Sequence, residues 1–357
     1  LNARYDAVMR GLQSPVAAAP VLTGKGHLRG DTAGGRYEWD ADWEGNGVRL
    51  GSRIDSGLGS LVAGSDGTFL APIVERIRQS LRREGRGSRL LAQTTFRTTA
   101  EGMSLVIPQA SLRGGSGATL LSLSRLQYAR KGAEPARLLG NFTTGGLGLP
   151  QITGRMEQEE GGKAVLRLVM PEYRAGGGSL AIPALAVVQN PQGALGFGGS
   201  LRAGGALPGG LADGLVLPLS GHWSQAAGLT LWRDCADVRF DRLVLGGARF
   251  EKRGVLLCPP AGGAIVRSDA HGTRIAAGTA GLDLAGHLGE SPVRIRSGQL
   301  GFAVPGTLAA RDLDVRLGPV GTESHFTLAR LDARIGKDVA GRFTGADVAL
   351  NAVPLDL

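Results

Sequence analysis

The feature that most constrains this chain is an alternation of apolar and polar residues, which glycine or proline interrupts about every eight to fourteen residues. The clearest example is the stretch from 35 to 45 (GRYEWDADWEG), where aromatic residues and alanine alternate with acidic ones. Successive side chains of a β-strand point to opposite faces, so a period of two predicts a half-buried strand with one acidic face.

The same period recurs along most of the chain and predicts roughly twenty to twenty-five strands. Few helical segments separate these strands, which favours antiparallel connections, because parallel neighbours need long crossovers. A sheet of so many strands must close, split or extend as a curved ribbon. We expect a mostly β fold: an elongated, curved antiparallel sheet that forms a β-taco-like half-pipe around a hydrophobic groove, with one or two short helices.

The apolar side chains of the alternating stretches are the candidate lining of this groove. Every strand has two faces, and alternation alone does not say which one faces the groove, so the choice of face is itself a prediction. The predicted lining residues are Leu105, Ile107, Leu166, Leu168, Met170, Val238, Phe240, Leu282, Leu284, Phe302, Leu313, Val315 and Leu317.

One segment departs from the period of two. Arginines and glutamates separate apolar residues that recur every four positions, at Phe69, Ile73, Ile77 and Leu81. This spacing predicts a helix over residues 69–85, with Pro72 in its first turn and Gly85 at its end. The helix either caps the sheet through its apolar stripe or binds a membrane surface through its arginines.

The helix divides the chain into three predicted segments. Residues 1–67 are an N-terminal β segment of the groove, in which 20–67 consist of short strands between glycine turns. Residues 68–86 hold the amphipathic helix. Residues 87–357 are a repetitive β groove that continues beyond the fragment.

Composition narrows the class of fold. The 59 glycines follow no three-residue period, which excludes collagen, and the 42% hydrophobic residues are too many for a disordered chain. We interpret the glycines as turns and bulges between strands. Aromatic residues are only 5%, so any core consists mainly of Leu, Val, Ile and Ala.

The net charge of +9 allows nucleic acid or anionic lipid as a partner. The arginines, however, alternate with apolar residues instead of clustering, which is typical of a solvated strand face. A phosphate-tracking surface and contact with lipid headgroups are the alternatives. We predict no nucleic-acid partner.

The sequence contains no recognisable catalytic or cofactor motif. It has no GxGxxG or GxxxxGK loop, no HExxH and no GxSxG, and its five histidines are isolated. We therefore predict no enzymatic activity, no cofactor and no metal site. An alternative function is that of a structural or adhesive β-solenoid segment of a secreted protein.

Two cysteines, Cys235 and Cys258, have two possible interpretations. They are too few for a four-ligand zinc site and too far apart for a redox motif. Each lies at the edge of an apolar run. A disulfide between neighbouring strands would imply an oxidising compartment such as the periplasm, whereas two separate buried thiols would imply nothing about location.

No run of residues approaches the ~18 consecutive apolar residues of a membrane-spanning helix. The nearest candidate, 181–188 (AIPALAVV), is interrupted by Pro183. The sequence begins with Leu1 and shows no signal-peptide pattern. We expect a piece of a longer protein whose targeting signal lies outside it.

Several stretches resemble the YdbH family of AsmA-like and TamB-like intermembrane phospholipid transport proteins. They are FTTGGLGLPQITGRMEQ (142–158), LRLVMPEYRAGGGSLAIP (166–183), LWRDCADVRF (231–240), and LLCPPAGG (256–263) followed by LDLAGHLGESPVRIRSGQLGFAVPG. The resemblance covers most of the chain from about residue 68 onward, and residues 1–67 match less distinctively.

The resemblance implies a periplasmic lipid carrier of Gram-negative bacteria, which functions in outer membrane biogenesis. Its apolar trough would conduct phospholipid acyl chains between the inner and outer membranes. An inner-membrane anchor would lie in the missing N-terminal part, and a small outer-membrane lipoprotein would dock by strand addition.

Overall fold

The computed structural model describes residues 1–31, 34–132, 137–158, 163–190, 192–269, 271–304, 306–335 and 339–351. These residues form 24 strands and two helices, and the paired strands whose register is known run antiparallel. The predicted mostly β, antiparallel fold is confirmed. The pairing differs from that of parallel β-helices, in which successive rungs stack in parallel.

The chain divides into two compact units, Leu1–Gly193 and Ala194–Leu357. This division falls inside the third predicted segment, 87–357. The sequence contains no shift in composition at Gly193, because the same alternating pattern continues on both sides of it. The assignment of the three predicted segments to the groove stays a prediction.

The first unit is a meander with two helices. Except for the two-residue β4, which pairs beside β2, each strand pairs with the strand before and after it. Its elements are β1 (Asn2–Gln13), β2 (Ala17–Asp31), β3 (Arg36–Asn46), β4 (Arg49–Leu50), α1 (Ser52–Gly64), α2 (Leu70–Gly85), β5 (Arg89–Thr99), β6 (Gly102–Arg113), β7 (Thr119–Lys131), β8 (Arg137–Thr144), β9 (Thr153–Gln158), β10 (Ala164–Ala175) and β11 (Gly178–Gln189).

Helix α2 confirms the helix predicted over 69–85. Its apolar stripe is buried at Phe69 and Ile73, which are 8% and 2% exposed. The helix packs against β4, β10 and β11. Its buried Glu84 accepts hydrogen bonds from the backbone N–H and the hydroxyl of Ser116, in the turn between β6 and β7. Helix α2 therefore lies across strand ends and turns of the first sheet.

Helix α1 corrects one expectation. Residues 52–64 lie in the stretch predicted to be short strands, but they are helical. Leu58, Leu61 and Val62 follow a three-to-four-residue spacing instead of alternation, and Asp55 lies in the first turn, where a carboxylate favours a helix. Its glycines, read as turns, obscured this signal. No residue of α1 is buried.

The second unit begins and ends as a meander but branches between. Its strands are β12 (Leu195–Leu207), β13 (Gly210–Ser224), β14 (Gly228–Leu231), β15 (Ala236–Leu245), β16 (Ala248–Leu257), β17 (Val266–Asp269), β18 (Gly272–Thr279), β19 (Leu282–Leu288), β20 (Ser291–Ser297), β21 (Leu300–Val304), β22 (Gly306–Leu317), β23 (Ser324–Ile335) and β24 (Val339–Ala349).

The branch arises because strands between β13 and β22 come in end-to-end pairs. Both β14 and β15 pair with β13, at its two ends, and both β20 and β21 pair with β22. One ladder runs β14–β17–β18–β21, and the other runs β15–β16–β19–β20. We call the linkers between the two ladders, residues 232–235, 258–265, 280–281 and 298–299, the seam.

Register shifts bend strands in both units. In the first unit the pairing slips between Ala92 and Thr95 of β5 and between Ser124 and Gln127 of β7. In the second, the pairing slips between Ala203 and Gly205 of β12. An extra residue in one strand bends it and increases its twist, so these sheets are not flat.

Candidate functional site

The first unit has one apolar face, which the strand register defines. Residues directly opposite each other in an antiparallel pair point to the same side. One row across six strands is Leu28, Trp39, Phe96, Leu105, Tyr128 and Leu138. A second row across six strands is Ala110, Leu123, Phe142, Gly154, Leu168 and Leu185. We call this side the apolar face of the first unit.

The opposite side of the same sheet is polar. The row next to Trp39 places Arg29, Glu38 and Arg97 side by side. The Nε of Arg97 lies 2.7 Å from a carboxylate oxygen of Glu38, and Arg89 pairs with Glu44 at 2.7 Å. Such exposed ion pairs contribute only about 0–1 kcal/mol each, but they show that this face stays in water.

The second unit repeats this division. Two clusters of buried residues, each packed with partly buried apolar neighbours, form its apolar face. One cluster centres on Phe240, Phe250, Leu284 and Val293, and the other on Ala236, Ile265 and Ala277. Their partly buried neighbours include Leu215, Val238, Leu282, Ile295, Phe302 and Leu317.

The polar face of the second unit carries several arginine–carboxylate pairs. Hydrogen bonds from Arg294 lower the pKa of Asp283, and a hydrogen bond from Arg330 lowers the pKa of Asp332. The Arg294 Nη2 to Asp283 Oδ2 distance is 2.8 Å. Because both partners are solvent-exposed, the arginines that give the chain its positive charge serve here to solvate one side of the sheet.

Little covers the two apolar faces. No described residue of the second unit is helical, and in the first unit α2 contacts strand ends and turns while α1 packs against α2. The aromatic and aliphatic side chains of the faces are therefore mostly half-buried, by their neighbours on the same sheet. A covered core would leave them inaccessible, whereas this arrangement leaves an apolar surface that an apolar ligand can contact.

All thirteen residues predicted to line the groove lie on these apolar faces. Met170, Phe240 and Leu284 are buried, and the other ten are half-buried. The first unit holds Leu105, Ile107, Leu166, Leu168 and Met170; the second holds Val238, Phe240, Leu282, Leu284, Phe302, Leu313, Val315 and Leu317. That these side chains contact lipid stays a prediction.

The predicted lining includes Phe240 and Phe302 but omits other aromatic members of the faces, such as Trp39, Phe96, Phe142 and Phe197. Phe142 shares its face with Gly140 and Gly154, so glycine hides the alternation that marks other strands. An aromatic residue two positions from an in-strand glycine was a signal that could have found Phe142.

The two cysteines lie at the seam of the second unit, where the structure joins Cys235 to Cys258 in a disulfide with a Cα–Cα distance of 4.0 Å. Cys258 also forms an isolated antiparallel bridge with Gly278, through backbone hydrogen bonds of 2.7 and 2.9 Å. The indole Nε1 of the nearby Trp232 donates to the carbonyl of Pro218 at 2.6 Å. The disulfide thus links β15 and β16 where the sheet branches.

The described residues include no group of three or more His, Cys, Asp or Glu side chains placed to hold a metal ion. Within the same ranges, neither helix has the length and apolar character needed to cross a bilayer.

The model of one protein family matches residues 4–357 of the chain. That family is described as YdbH-like, intermembrane phospholipid transport protein YdbH. No curated protein matches the chain, and no solved structure does.

Proposed function

The chain belongs to the YdbH-like family of intermembrane phospholipid transport proteins, and from this premise we propose that its apolar faces carry phospholipid acyl chains through the periplasm. The acyl chains would lie against the apolar faces while the headgroups stay in water. No covalent step is involved. The family transports lipid between membranes, which implies a location between them.

The observation that supports this proposal most strongly is the two-sidedness of each sheet. Rows such as Leu28, Trp39 and Phe96 occupy one side, and rows such as Arg29, Glu38 and Arg97 occupy the other. A soluble sheet with one apolar side normally buries it under a second layer. Here the described helices leave most of that side open, so an apolar ligand is the layer that the sheet lacks.

Energetics favour a passive conduit. Moving an acyl chain from water to an apolar surface gains about 0.8 kcal/mol per CH₂. Moving it from a bilayer to the apolar face exchanges one apolar environment for another and is nearly neutral. Lipid can therefore enter and leave the faces without being trapped.

The finer features of the carrier belong to the same proposal. We propose that each unit forms a groove of half-pipe shape along its own apolar face, and that the full-length protein is anchored in the inner membrane. A small outer-membrane lipoprotein would add a strand to an exposed sheet edge, since such an edge offers free backbone donors and acceptors.

The test is native mass spectrometry of the purified chain, combined with extraction of bound lipid. Leu168→Asp and Val315→Asp place a charge on the two apolar faces. Val169→Asp and Leu256→Asp are matched controls, because these two residues are 44% and 53% exposed and lie on the polar faces. We expect phospholipid with the wild type and the controls, and much less with the apolar-face variants.

Circular dichroism establishes that each variant is folded. The proposal fails if the wild type yields no lipid, or if folded variants of both faces retain the same amount.

A further inference from the structure

Five aromatic rings on the apolar faces lie over glycines of the neighbouring strand. In each pair a ring atom lies within 3.0 Å of the position that a β-carbon on the glycine would take, although at Gly286 the carbonyl oxygen of Arg249 lies closer than the ring. The pairs are Trp43 over Gly24, Tyr37 over Gly30, Phe142 over Gly154, Phe197 over Gly221, and Phe250 over Gly286. Among the described glycines, no comparable ring overlap occurs on a polar face.

Three pairs, those of Gly24, Gly30 and Gly154, show the effect without interference from the backbone, and two of them illustrate it. A β-carbon on Gly24 would have three ring atoms of Trp43 within 2.9 Å, and a β-carbon on Gly154 would have three ring atoms of Phe142 within 2.9 Å. Both glycines are buried, although each occupies a strand of a sheet with no second layer over it. The rings themselves bury them.

The position of each ring is therefore set by the missing side chain beside it. A half-buried ring can lie down against the backbone only where the neighbouring residue has no β-carbon. Trp43 is held further by a hydrogen bond from its Nε1 to the hydroxyl of Thr94, at 2.8 Å. The rings lie low on the face and do not stand upright from it.

The height of these rings decides how much space lies above the sheet. Phe142 belongs to the row that contains Leu123 and Leu168, in the middle of the apolar face of the first unit. A methyl group on Gly154 would force the Phe142 ring away from the backbone. A ring displaced away from the backbone moves into the space that an acyl chain would occupy.

We propose that the aromatic–glycine pairs hold the aromatic rings flat against the lipid-binding faces. In this way the pairs determine how many acyl chains each face accommodates. This inference rests on the proposed function and adds to it the residues that set capacity. It also gives the in-strand glycines a role that differs from turns and bulges. The scarce aromatic residues supply wide, flat apolar area, and the glycines prevent that area from projecting into the groove.

The experiment compares Gly154→Ala with the wild type by lipid extraction and native mass spectrometry. We expect the amount of bound lipid per protein to fall by about twofold or more, because the displaced ring fills space that the native packing leaves free. Phe142→Leu combined with Gly154→Ala removes the ring, and the bound lipid returns toward the wild-type amount. Gly198→Ala is the control: it lies on a polar face, and nothing comes closer to its β-carbon position than 3.8 Å.

Thermal unfolding of each variant separates capacity from stability. If Gly154→Ala lowers the melting temperature but binds as much lipid as the wild type, the pair is only structural and the inference is wrong. Phe142→Leu alone keeps Gly154 and is expected to bind at least the wild-type amount. A loss of lipid with Phe142→Leu as large as that with Gly154→Ala would also overturn the inference, since the ring would then act as a lipid contact and its height would not matter.

These results are distinguishable from failure of the proposed function. Absence of lipid from the wild type contradicts lipid carriage itself. Lipid in the wild type that is unchanged in every glycine variant contradicts only the role of the pairs.

Discussion

In the first unit, the strands other than β4 form a continuous meander from β1 to β11, helix α2 packs on strand ends and turns, and α1 packs against α2. In the second unit, eight of the strands are arranged end to end in two ladders, no described residue is helical, and a disulfide lies where the ladders meet. Both units keep an open apolar face despite this difference. A sheet without a second layer needs some other restraint, and the two units use different ones.

The restraints act at different places. Helix α2 holds strand ends and turns that are distant in sequence, through packing and through the buried Glu84. The Cys235–Cys258 bridge holds two strands in the interior of the sheet, at the seam. In neither case does the restraint cover the apolar rows, which is the requirement for a face that stays accessible.

The largest effect is expected from removing the disulfide. Replacing Cys235 and Cys258 with serine should destabilise the second unit by about 3 kcal/mol. The reason is that the unfolded chain gains conformational freedom when the bridge no longer closes the loop between these residues. Hydrogen exchange measured by mass spectrometry reports each unit separately. Peptides from β15 and β16 should exchange faster, whereas peptides from β5 and β6 should not change.

Reduction of the wild type with dithiothreitol provides the control. It should reproduce the effect of the double substitution, since the sequence contains only these two cysteines. Equal exchange in the oxidised and reduced protein would show that the bridge does not restrain the seam.

The seam also shows where sequence reasoning stops. Alternation predicted the strands well, because one side of each sheet is apolar and the other is solvated. The alternating pattern does not show that β14 and β15 lie end to end. Each of these strands has its own alternation, and only its pairing with strands distant in sequence reveals the arrangement. Cys235 and Cys258 marked the position, but their spacing alone allowed two interpretations.

Helix α1 and the aromatic–glycine pairs were missed for a related reason. Glycine was taken to indicate turns, so Gly57 and Gly59 concealed a helix and Gly24 and Gly154 concealed contacts inside strands. What a glycine does depends on the atoms beside its missing β-carbon. Those atoms come from another part of the chain, and local sequence does not specify them.

A smaller effect is expected from the turn that holds α2. Ser116→Ala removes one hydrogen bond to the buried Glu84 carboxylate, and bonds to charged groups contribute roughly 1.5–3 kcal/mol. The first unit should lose stability, and the pKa of Glu84 should rise, because the Ser116 hydroxyl is the main group that lowers it. Urea unfolding measures the loss of stability, and hydrogen exchange of peptides from β6 and β7 shows where it occurs.

Ser122→Ala on β7 is a suitable comparison, since this serine lies on the polar face, paired with Ser111 and Thr143. The two variants remove the same hydroxyl from neighbouring parts of one sheet. An equal effect of both would mean that the Glu84 contact does not restrain the turn.

The smallest effect is expected at α1. Its Asp55 accepts hydrogen bonds from Arg82 and Arg78 of α2, at 2.6 to 3.2 Å, and Arg82 followed by Arg78 holds the pKa of Asp55 well below its usual range. A carboxylate with a lowered pKa stabilises the folded state above its unfolded pKa of about 3.9, and that contribution is lost as the pH falls toward the folded value. Asp55→Asn should therefore reproduce at neutral pH what acid does to the wild type: amides of 52–64 exchange faster while β5 stays protected. Glu75→Gln removes a carboxylate that accepts a hydrogen bond from Gln79 on the same helix and acts on Arg82 only through its charge, so it should change exchange in α1 much less. Because no residue of α1 is buried, unchanged exchange with Asp55→Asn would mean that apolar contact with α2, and not the ion pairs, holds the helix in place.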